Sequence, residues 1–286
     1  MKNVSIIADS TCDLSKELLD KYKIRTFPLH IHLGEKEYLD GINITPEEIF
    51  EWSDANKATP KTSTVSPAEA EEMLKRTLAE SEQVICFCIS SHMSACCSVM
   101  RMTAEEMGVE DRVYVIDSSN LSTGIGLLIL EAAEMAANGI SAAEILTHIN
   151  NLIPQVRSSF VVDTLTYLHR GGRCSGVAAF AGSTLKLHPY IAVEEGKMKP
   201  GKKYRGKMDK VICDYVKDLM PDLKSAKKNR VFITHSGCDH QLLDSIKELI
   251  DSLNYFDEIL ITRAGSVITS HCGPGTLGVL YIAEQN

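Results

Sequence analysis

The chain has 286 residues, of which 44% are hydrophobic and 24% charged, and its formal net charge is −8. This balance is typical of a globular protein with one or two domains and excludes a disordered, collagen-like or coiled-coil chain. Apolar runs such as 125–130 are far shorter than the roughly 20 residues of a membrane span, and the N-terminus lacks an apolar signal region. We therefore predict a cytoplasmic protein, in which nine cysteines, an odd number, favour reduced thiols over a disulfide framework.

The first half of the chain alternates between strand and helix patterns. Strands are predicted at 4–8, 26–33, 84–89 and 113–116. Helices are predicted at 14–22, from the caps Thr45 and Ser66, and at 94–107, 124–137 and 142–153. Such an order predicts a three-layer domain, in which a mainly parallel sheet carries helices on both faces.

The second half is less regular. Strands are predicted at 158–162, 190–193, 231–234 and 258–262. Helices are predicted at 165–169, 207–219 and 242–253, and an Ala-rich segment at 175–185 is predicted to be buried. Because pattern and charge both change near Ile153-Pro154, we predict an N-terminal α/β domain over residues 1–155 and a C-terminal α/β domain with a mixed sheet over residues 156–286.

Charge is divided unevenly between these halves. Residues 1–150 hold 12 basic and 24 acidic side chains, whereas residues 151–286 hold 18 basic and 14 acidic ones. Seven basic side chains lie in the segment 197–210. This segment is either a solvated hairpin or a surface that meets phosphate or an acidic partner. One short cluster on an acidic protein is not typical of a nucleic-acid-binding protein.

Several familiar site motifs are incomplete. The segment 201–208 approaches a phosphate-binding loop, but Met208 stands where Ser or Thr would bind magnesium. His235, Cys238 and His240 have the residue types of metal ligands, but a structural zinc site normally needs two separated ligand pairs. The sequence contains neither a nucleophile elbow nor a dinucleotide-binding glycine motif after a strand.

Hydroxyl-rich turns follow several predicted strands, at 9–11, 62–64, 90–94 and 117–119. The carboxyl ends of parallel strands line the ligand crevice of such a sheet. Ser94, at the start of a predicted helix, would combine a hydroxyl with free backbone N–H groups and suit an anion. The alternative is that these residues are only caps and turns. His271, before a Gly-Pro-Gly turn, is a second candidate because its imidazole can donate to an oxygen anion.

Ordered motifs across nearly the whole chain resemble the DegV family, the bacterial fatty-acid-binding family that includes the acyl-carrier subunits of fatty acid kinase. They are ADSTCDL from Ala8, DGINITPEE from Asp40, TSTVSP from Thr62, ISSHMS from Ile89, VIDS from Val115, VVDTL from Val161, GGR at 171–173 and HCGPG from His271. Each motif is weak alone, whereas their order is specific. Two departures are Thr64-Val65 in place of Gln-Pro and Ala95 in place of a glycine.

The resemblance implies a two-domain protein that encloses one long-chain fatty acid, such as palmitate, between its domains, without a cofactor or a metal. It implies that Thr62, Ser94 and His271 hold the carboxylate and that Ser63 lies beside them. Arg205 matches an arginine of the kinase-linked members of the family. Arg173 is either a second phosphate or kinase contact, or a residue that fixes the Gly171-Gly172 turn.

Together these features predict a fatty-acid carrier that is not catalytic by itself and presents the carboxylate to a separate fatty acid kinase. Nucleic-acid binding and stable membrane insertion are not expected. An alternative is a small-molecule hydrolase or transferase that uses Ser94 and His271, against which the missing elbow and orienting acid argue. Another is a regulatory module that senses lipid through the basic segment.

Overall fold

The computed structural model describes residues 3–174 and 187–284, so the predicted buried segment 175–185 lies outside the described residues. Its helices are α1 (Lys16–Tyr22), α2 (Pro46–Asn56), α3 (Pro67–Leu78), α4 (Cys96–Glu106), α5 (Thr123–Ala137), α6 (Ala142–Leu152), α7 (Thr166–Gly171), α8 (Met208–Leu223), α9 (His240–Asp251) and α10 (Ser266–Cys272). Its strands are β1 (Val4–Asp9), β2 (Arg25–Phe27), β3 (His30–Leu33), β4 (Lys36–Leu39), β5 (Lys61–Ser63), β6 (Gln83–Cys88), β7 (Val113–Asp117), β8 (Val156–Val161), β9 (Leu187–Glu194), β10 (Lys197–Arg205), β11 (Ala226–Ser236), β12 (Glu258–Arg263) and β13 (Thr276–Ala283).

The predicted parallel sheet is confirmed. Its strand order is β2-β1-β6-β7, and every pairing in it is parallel. Helices α3 and α4 pack on one face, and α5, with α1 and α6 beside it, packs on the other. Five of the six residues of β6 are buried, as expected for a strand that is covered on both faces.

The single strand predicted around Pro28 is wrong. Proline has no backbone N–H to donate to a sheet, and here it separates two strands that belong to different sheets. Strand β2 joins the parallel sheet, whereas β3 pairs antiparallel with both β4 and β5. This small sheet, β4-β3-β5, was not predicted, and it fixes the position of Thr62 by pairing it with Ile31.

The predicted capping sequences begin helices. Thr45 and Glu48 form a reciprocal capping box at α2, and Ser66 and Glu69 form another at α3. Helix α4 begins at Cys96 instead of the predicted residue 94, and its capping residue Ala95 supplies no side-chain hydrogen bond. The chain after β6 therefore makes a turn of several residues before the helix starts, and Ser94 lies in that turn.

The predicted mixed sheet is confirmed. Its order is β10-β9-β8-β13-β11-β12, with antiparallel pairs except for the parallel pair β11 and β12. Helices α8 and α9 cover one face over a separate hydrophobic core around Tyr215. Helix α10 and strand β13 were not predicted, although the apolar run that forms β13 is buried at seven of its eight residues.

Helix α5 joins the two halves of the chain. It contacts β1 and β6 of the parallel sheet and also β8 and β13 of the mixed sheet. Its buried residues run without a break from Thr123 to Ala133, as expected for a helix enclosed on all sides. Among the described helices, none combines the length and the apolarity needed to cross a bilayer.

We predict that Leu128→Ala, in the enclosed part of α5, lowers the free energy of unfolding by about 2–5 kcal/mol, because it opens a cavity where the side chain is fully buried. Met102→Ala is the control, since Met102 is 58% exposed and its loss costs little. Urea denaturation measures both variants. A Leu128→Ala variant as stable as the control would show that α5 does not carry the packing between the sheets.

Candidate functional site

A cavity of about 310 Å³ lies between the small sheet, helix α10 and the inner face of the mixed sheet. Its apolar lining includes Leu29, Ile89, Met93, Leu121, Phe160, Leu168, Met198 and Leu280. Threonine, serine and histidine side chains line other parts, and among the described residues Arg173 is the only lysine, arginine, aspartate or glutamate in the lining. A cavity of this kind suits an apolar ligand that ends in a small polar group.

Two predicted site residues form a hydrogen bond at this cavity. Oγ1 of Thr62 lies 2.8 Å from Nε2 of His271, although 209 residues separate them in sequence. Thr62 is held by β5 and His271 by the last turn of α10. The contact therefore joins the small sheet to α10 and places one hydroxyl and one imidazole together at the cavity wall.

The imidazole of His271 is neutral at pH 7. Burial lowers its pKa to about 4, and the positive charge of Arg173 lowers the pKa in the same direction. Its Nδ1 is buried without a hydrogen-bond partner among the described residues, and a Cβ at Gly171 would overlap this atom. His271 and the hydroxyl groups can thus donate hydrogen bonds to a carboxylate as neutral groups, and His271 does not act as a cation.

Ser63 and Ser94 also line the cavity. Oγ of Ser63 lies 2.9 Å from Nε2 of His32, and Oγ of Ser94 accepts a 3.3 Å hydrogen bond from the backbone N–H of Cys96. Ala95, which replaces the glycine of the family pattern, has φ −78° and ψ 1°, a conformation that an L-residue adopts without left-handed strain. The four proposed carboxylate contacts therefore lie around one cavity, and their ligand roles stay a prediction.

The other hydroxyl-rich turns hold the backbone and do not line the cavity. The carboxylate of Asp9 accepts from the backbone N–H of Thr11 at 3.0 Å and of Ile89 at 2.7 Å. Asp117 accepts from the backbone N–H of Ser119 at 2.9 Å. These contacts correspond to the cap-and-turn alternative, so strand-end position alone does not distinguish a ligand site from a turn.

Arg173 contacts the turn that it is predicted to fix, and its predicted phosphate or kinase contact stays a prediction. Arg173 lines the cavity, and its Nη1 donates to the carbonyl of Gly171 at 2.8 Å. A second, longer contact runs from its Nε to the carbonyl of Met93 at 3.4 Å. The guanidinium therefore braces the turn after α7 against the turn that carries Ser94, while remaining beside the cavity.

Arg205 does not line the cavity. It is exposed at the end of β10 and forms no ion pair with a described residue. Other basic side chains of the segment 197–210 are neutralised locally: Lys202 pairs with Asp218, Lys210 with Asp214 and Lys199 with Glu194. The basic segment is thus partly an ion-paired surface, on which Arg205 has no acidic partner in the part of the chain that the structure describes.

In the described part of the chain, Asp9, Cys88 and Cys96 bring metal-ligating atoms within 4.8 Å of one another. Burial raises the pKa of the carboxyl of Asp9, and that carboxyl already accepts two backbone hydrogen bonds. Side-chain contacts with the thiol of Cys86 and then with that of Cys96 raise the pKa of Cys88 well above its ordinary value. We assign this group to packing of the strand end, and no disulfide joins any of the nine cysteines, all of which lie in the described residues.

The sequence did not predict that the mixed sheet forms one wall of the cavity. Ser159, Thr234, Ser236, Thr276 and Gly278 line the cavity from β8, β11 and β13. The strand pattern of 276–283 could have located β13, but no motif marks its residues as cavity-lining. Their role depends on which face of the sheet meets α5, and this is a property of tertiary packing.

Comparisons with known proteins identify relatives across the full length of the chain. A family model of the DegV family, described as uncharacterised proteins, matches residues 3–284. The chain is 31% identical over 283 residues to a DegV domain-containing protein of Caldanaerobacter subterraneus subsp. tengcongensis, covering 98% of this chain and 99% of the relative. It is 30% identical over 281 residues to a fatty acid-binding protein of Thermotoga maritima, covering 96% of each.

Solved structures share the fold. A DegV family protein from Thermus thermophilus, described as binding fatty acid, matches with a TM-score of 0.89 at 30% identity, over 99% of this chain and 100% of that chain. A stearic acid-binding protein from Eubacterium ventriosum matches with a TM-score of 0.84 at 28% identity, over 99% of this chain and 98% of that chain.

The neighbouring glycines Gly171 and Gly172 allow a test of the His271 environment. We predict that Gly171→Ala displaces the ring and admits water, so that the pKa of His271 rises from about 4 towards its ordinary value. A Cβ at Gly172 would meet no atom within 4 Å, but an alanine there must adopt φ +68°. Gly172→Ala should therefore lower the free energy of unfolding by about 1 kcal/mol and leave the pKa of His271 unchanged. NMR titration of the imidazole distinguishes these outcomes. If His271 has the same pKa in both variants, the close approach of Gly171 to the imidazole is contradicted.

Proposed function

The chain belongs to the DegV family, and from this premise we propose that it binds one long-chain fatty acid in the cavity beside Thr62 and His271. In this proposal Thr62, Ser94 and His271 hold the carboxylate, and Ser63 lies next to them. The protein acts as a carrier, without catalysis of its own, and presents the carboxylate to a separate fatty acid kinase in the cytoplasm. Palmitate represents the expected ligand class.

The observation that carries this proposal is the Thr62–His271 hydrogen bond at the wall of a cavity with an extensive apolar lining. A carboxylate there accepts hydrogen bonds from neutral hydroxyl and imidazole groups, which are strengthened by the charge of the acceptor. The acyl chain supplies most of the affinity, at about 0.8 kcal/mol for each buried CH₂ group. The relatives described as fatty-acid binding support the same ligand class.

The two sheets support the proposed division into residues 1–155 and 156–286, with the acid between the two units. The four parallel strands all precede residue 118, and all six strands of the mixed sheet follow residue 155. The cavity lining draws on both sets of residues, with Thr62 and Ser94 from the first and Phe160 and His271 from the second.

The alternative, a hydrolase or transferase that uses Ser94 and His271, is less well supported. A serine nucleophile needs a base within hydrogen-bond reach and a third group that orients this base. Here Nε2 of His271 contacts Thr62, and Nδ1 has no acidic partner among the described residues. This arrangement favours ligand binding over activation of Ser94.

We predict that the purified protein carries an endogenous long-chain fatty acid and, once stripped of lipid, binds palmitate. Native mass spectrometry followed by denaturation and lipid identification tests the first part, and calorimetric titration tests the second. Absence of lipid after purification, together with no binding of added palmitate or oleate, would contradict the carrier function.

Ser94→Ala is predicted to weaken palmitate binding by about 1–2 kcal/mol through loss of one charge-assisted hydrogen bond. Ser91→Ala is the matched control, because Ser91 is an exposed residue of the same turn that does not line the cavity. Both variants are compared by calorimetric titration and by thermal unfolding. Unchanged affinity with a lowered melting temperature would identify Ser94 as a helix-capping residue only.

Arg205→Ala is predicted to leave palmitate affinity unchanged and to reduce acyl-phosphate formation when a cognate kinase and ATP are supplied. The effect should weaken with added salt, because an exposed charge is screened over about 8 Å at physiological ionic strength. Lys202→Ala is the matched control, since Lys202 lies on the same strand but is paired with Asp218. If the Arg205→Ala variant yields acyl phosphate at the wild-type rate, the proposed role of Arg205 is wrong. If the variant loses its lipid, Arg205 belongs to the binding site.

A further inference from the structure

We propose that Asp13 and Asp40 are positioning residues that set the location of His271 by holding the N-terminus of α10. This inference rests on the proposed function, because it concerns the geometry of the fatty-acid carboxylate site. Asp13 and Asp40 belong to two sequence motifs, ADSTCDL and DGINITPEE, for which the ligand contacts give no role. Both side chains are buried, with only 6% and 4% of their surface exposed.

Both carboxylates cap the same short helix from outside. Oδ1 of Asp13 accepts from the backbone N–H of Gly265 at 2.8 Å, and Oδ1 of Asp40 accepts from the backbone N–H of Ser266 at 2.8 Å. Gly265 has no side chain with which to cap α10. Because a helix of seven residues is not stable by itself, its position depends on such external contacts.

The second oxygen of each carboxylate is also used within the protein. Oδ2 of Asp40 accepts from Oγ of Ser10 at 2.8 Å, and Oδ2 of Asp13 accepts from Oγ of Ser122, a residue that lines the cavity. Burial raises the pKa of both carboxyls, and the charge of Asp40 raises the pKa of Asp13 further. These groups therefore organise the backbone and a cavity-lining serine, and they are not placed to contact the ligand.

The small sheet holds both ends of α10, and Asp40 provides the contact at the N-terminal end. Asp40 directly follows β4, which belongs to the small sheet that also contains β5 and Thr62. Helix α10 is thus tied to this sheet at its N-terminus through Asp40 and at its C-terminus through the Thr62–His271 hydrogen bond. The five-residue step from Ser266 to His271 spans about 7.5 Å along a helix, so a shift at the first end displaces the ring at the other.

Gly265 fits this arrangement closely. A Cβ at this position would lie 3.2 Å from Oδ1 of Asp13 and 3.2 Å from Oδ1 of Asp40. The backbone of Gly265 has φ −67°, which any residue can adopt, so the constraint is space and not backbone strain. Gly265→Ala therefore requires the N-terminus of α10 and the two carboxylates to move apart by a few tenths of an ångström, without removing a charge.

The test is a double-mutant cycle between Asp40→Ala and His271→Ala, with palmitate affinity measured by calorimetric titration at a temperature where all variants are folded. We expect Asp40→Ala to weaken binding roughly tenfold, the cost of one lost hydrogen bond, in the wild-type background and to have no effect once His271 is alanine. Asp40→Asn should recover most of the affinity, because its Oδ1 accepts from Ser266 while its amide donates to Ser10. Asp54→Ala, at an exposed acid of α2, is the control for charge.

A second readout is independent of lipid. NMR titration should show the pKa of His271 rising from about 4 towards its ordinary value in Asp40→Ala and in Gly265→Ala, because a displaced ring is hydrated. If wild-type protein binds no palmitate, the proposed function fails, and this titration alone decides the positioning role. If Asp40→Ala does not fold, Gly265→Ala decides it by the same measurements. Additive losses of affinity, or a His271 pKa that stays near 4, would overturn the inference.

Discussion

The hydrogen bond between Thr62 and His271 connects parts of the chain that otherwise belong to different sheets. Thr62 is fixed by the pairing of β5 with β3, and His271 by the two-turn helix α10, which follows β12 of the mixed sheet. For the 2.8 Å contact to form, the small sheet, α10 and the mixed sheet must adopt one relative arrangement. The cavity is the space that this arrangement encloses, so its polar end depends on tertiary packing and not on a local motif.

Burial then determines the chemistry that the polar end can perform. Since the pKa of His271 is lowered to about 4, protonating the ring at neutral pH is unfavourable, and the imidazole acts as a neutral donor or acceptor. Arg173 contributes to that shift, and its guanidinium is held by the carbonyls of Gly171 and Met93. The Thr62–His271 end of the site therefore offers neutral hydrogen-bonding groups, while the charge beside the cavity comes from Arg173.

The sequence predicted features that depend on local chemistry. The capping boxes at Thr45 and Ser66 begin helices, and the buried apolar runs at β1, β6 and β7 form the parallel sheet. The prediction from sequence failed at Pro28, which separates strand β2 from strand β3. No local feature shows that these two strands pair in different sheets. Similarly, the hydroxyl turns at 9–11 and 62–64 look alike in sequence, but only the second lines the cavity. The hydroxyl-rich turns and the Gly-Pro-Gly turn make Thr62, Ser94 and His271 candidates, but their grouping as one carboxylate site rests on the family resemblance and not on periodicity.

In the proposed function, neutral donors at the head group have a consequence for transfer of the bound acid. A carboxylate paired with a buried cation would lose basicity, because the opposite charge favours its ionised form and lowers its pKa. Hydroxyl and imidazole donors hold the same oxygens with less effect on their charge, so the oxygens remain better able to attack a phosphoryl group. In the proposed function, a cationic contact serves where phosphate charge develops, and Arg205, which is exposed on a different element, is the residue proposed to supply it when a partner is bound. The proposed carrier thus has two arginines in different places: Arg173 lies beside the cavity and donates to backbone carbonyls, and Arg205 lies away from the cavity.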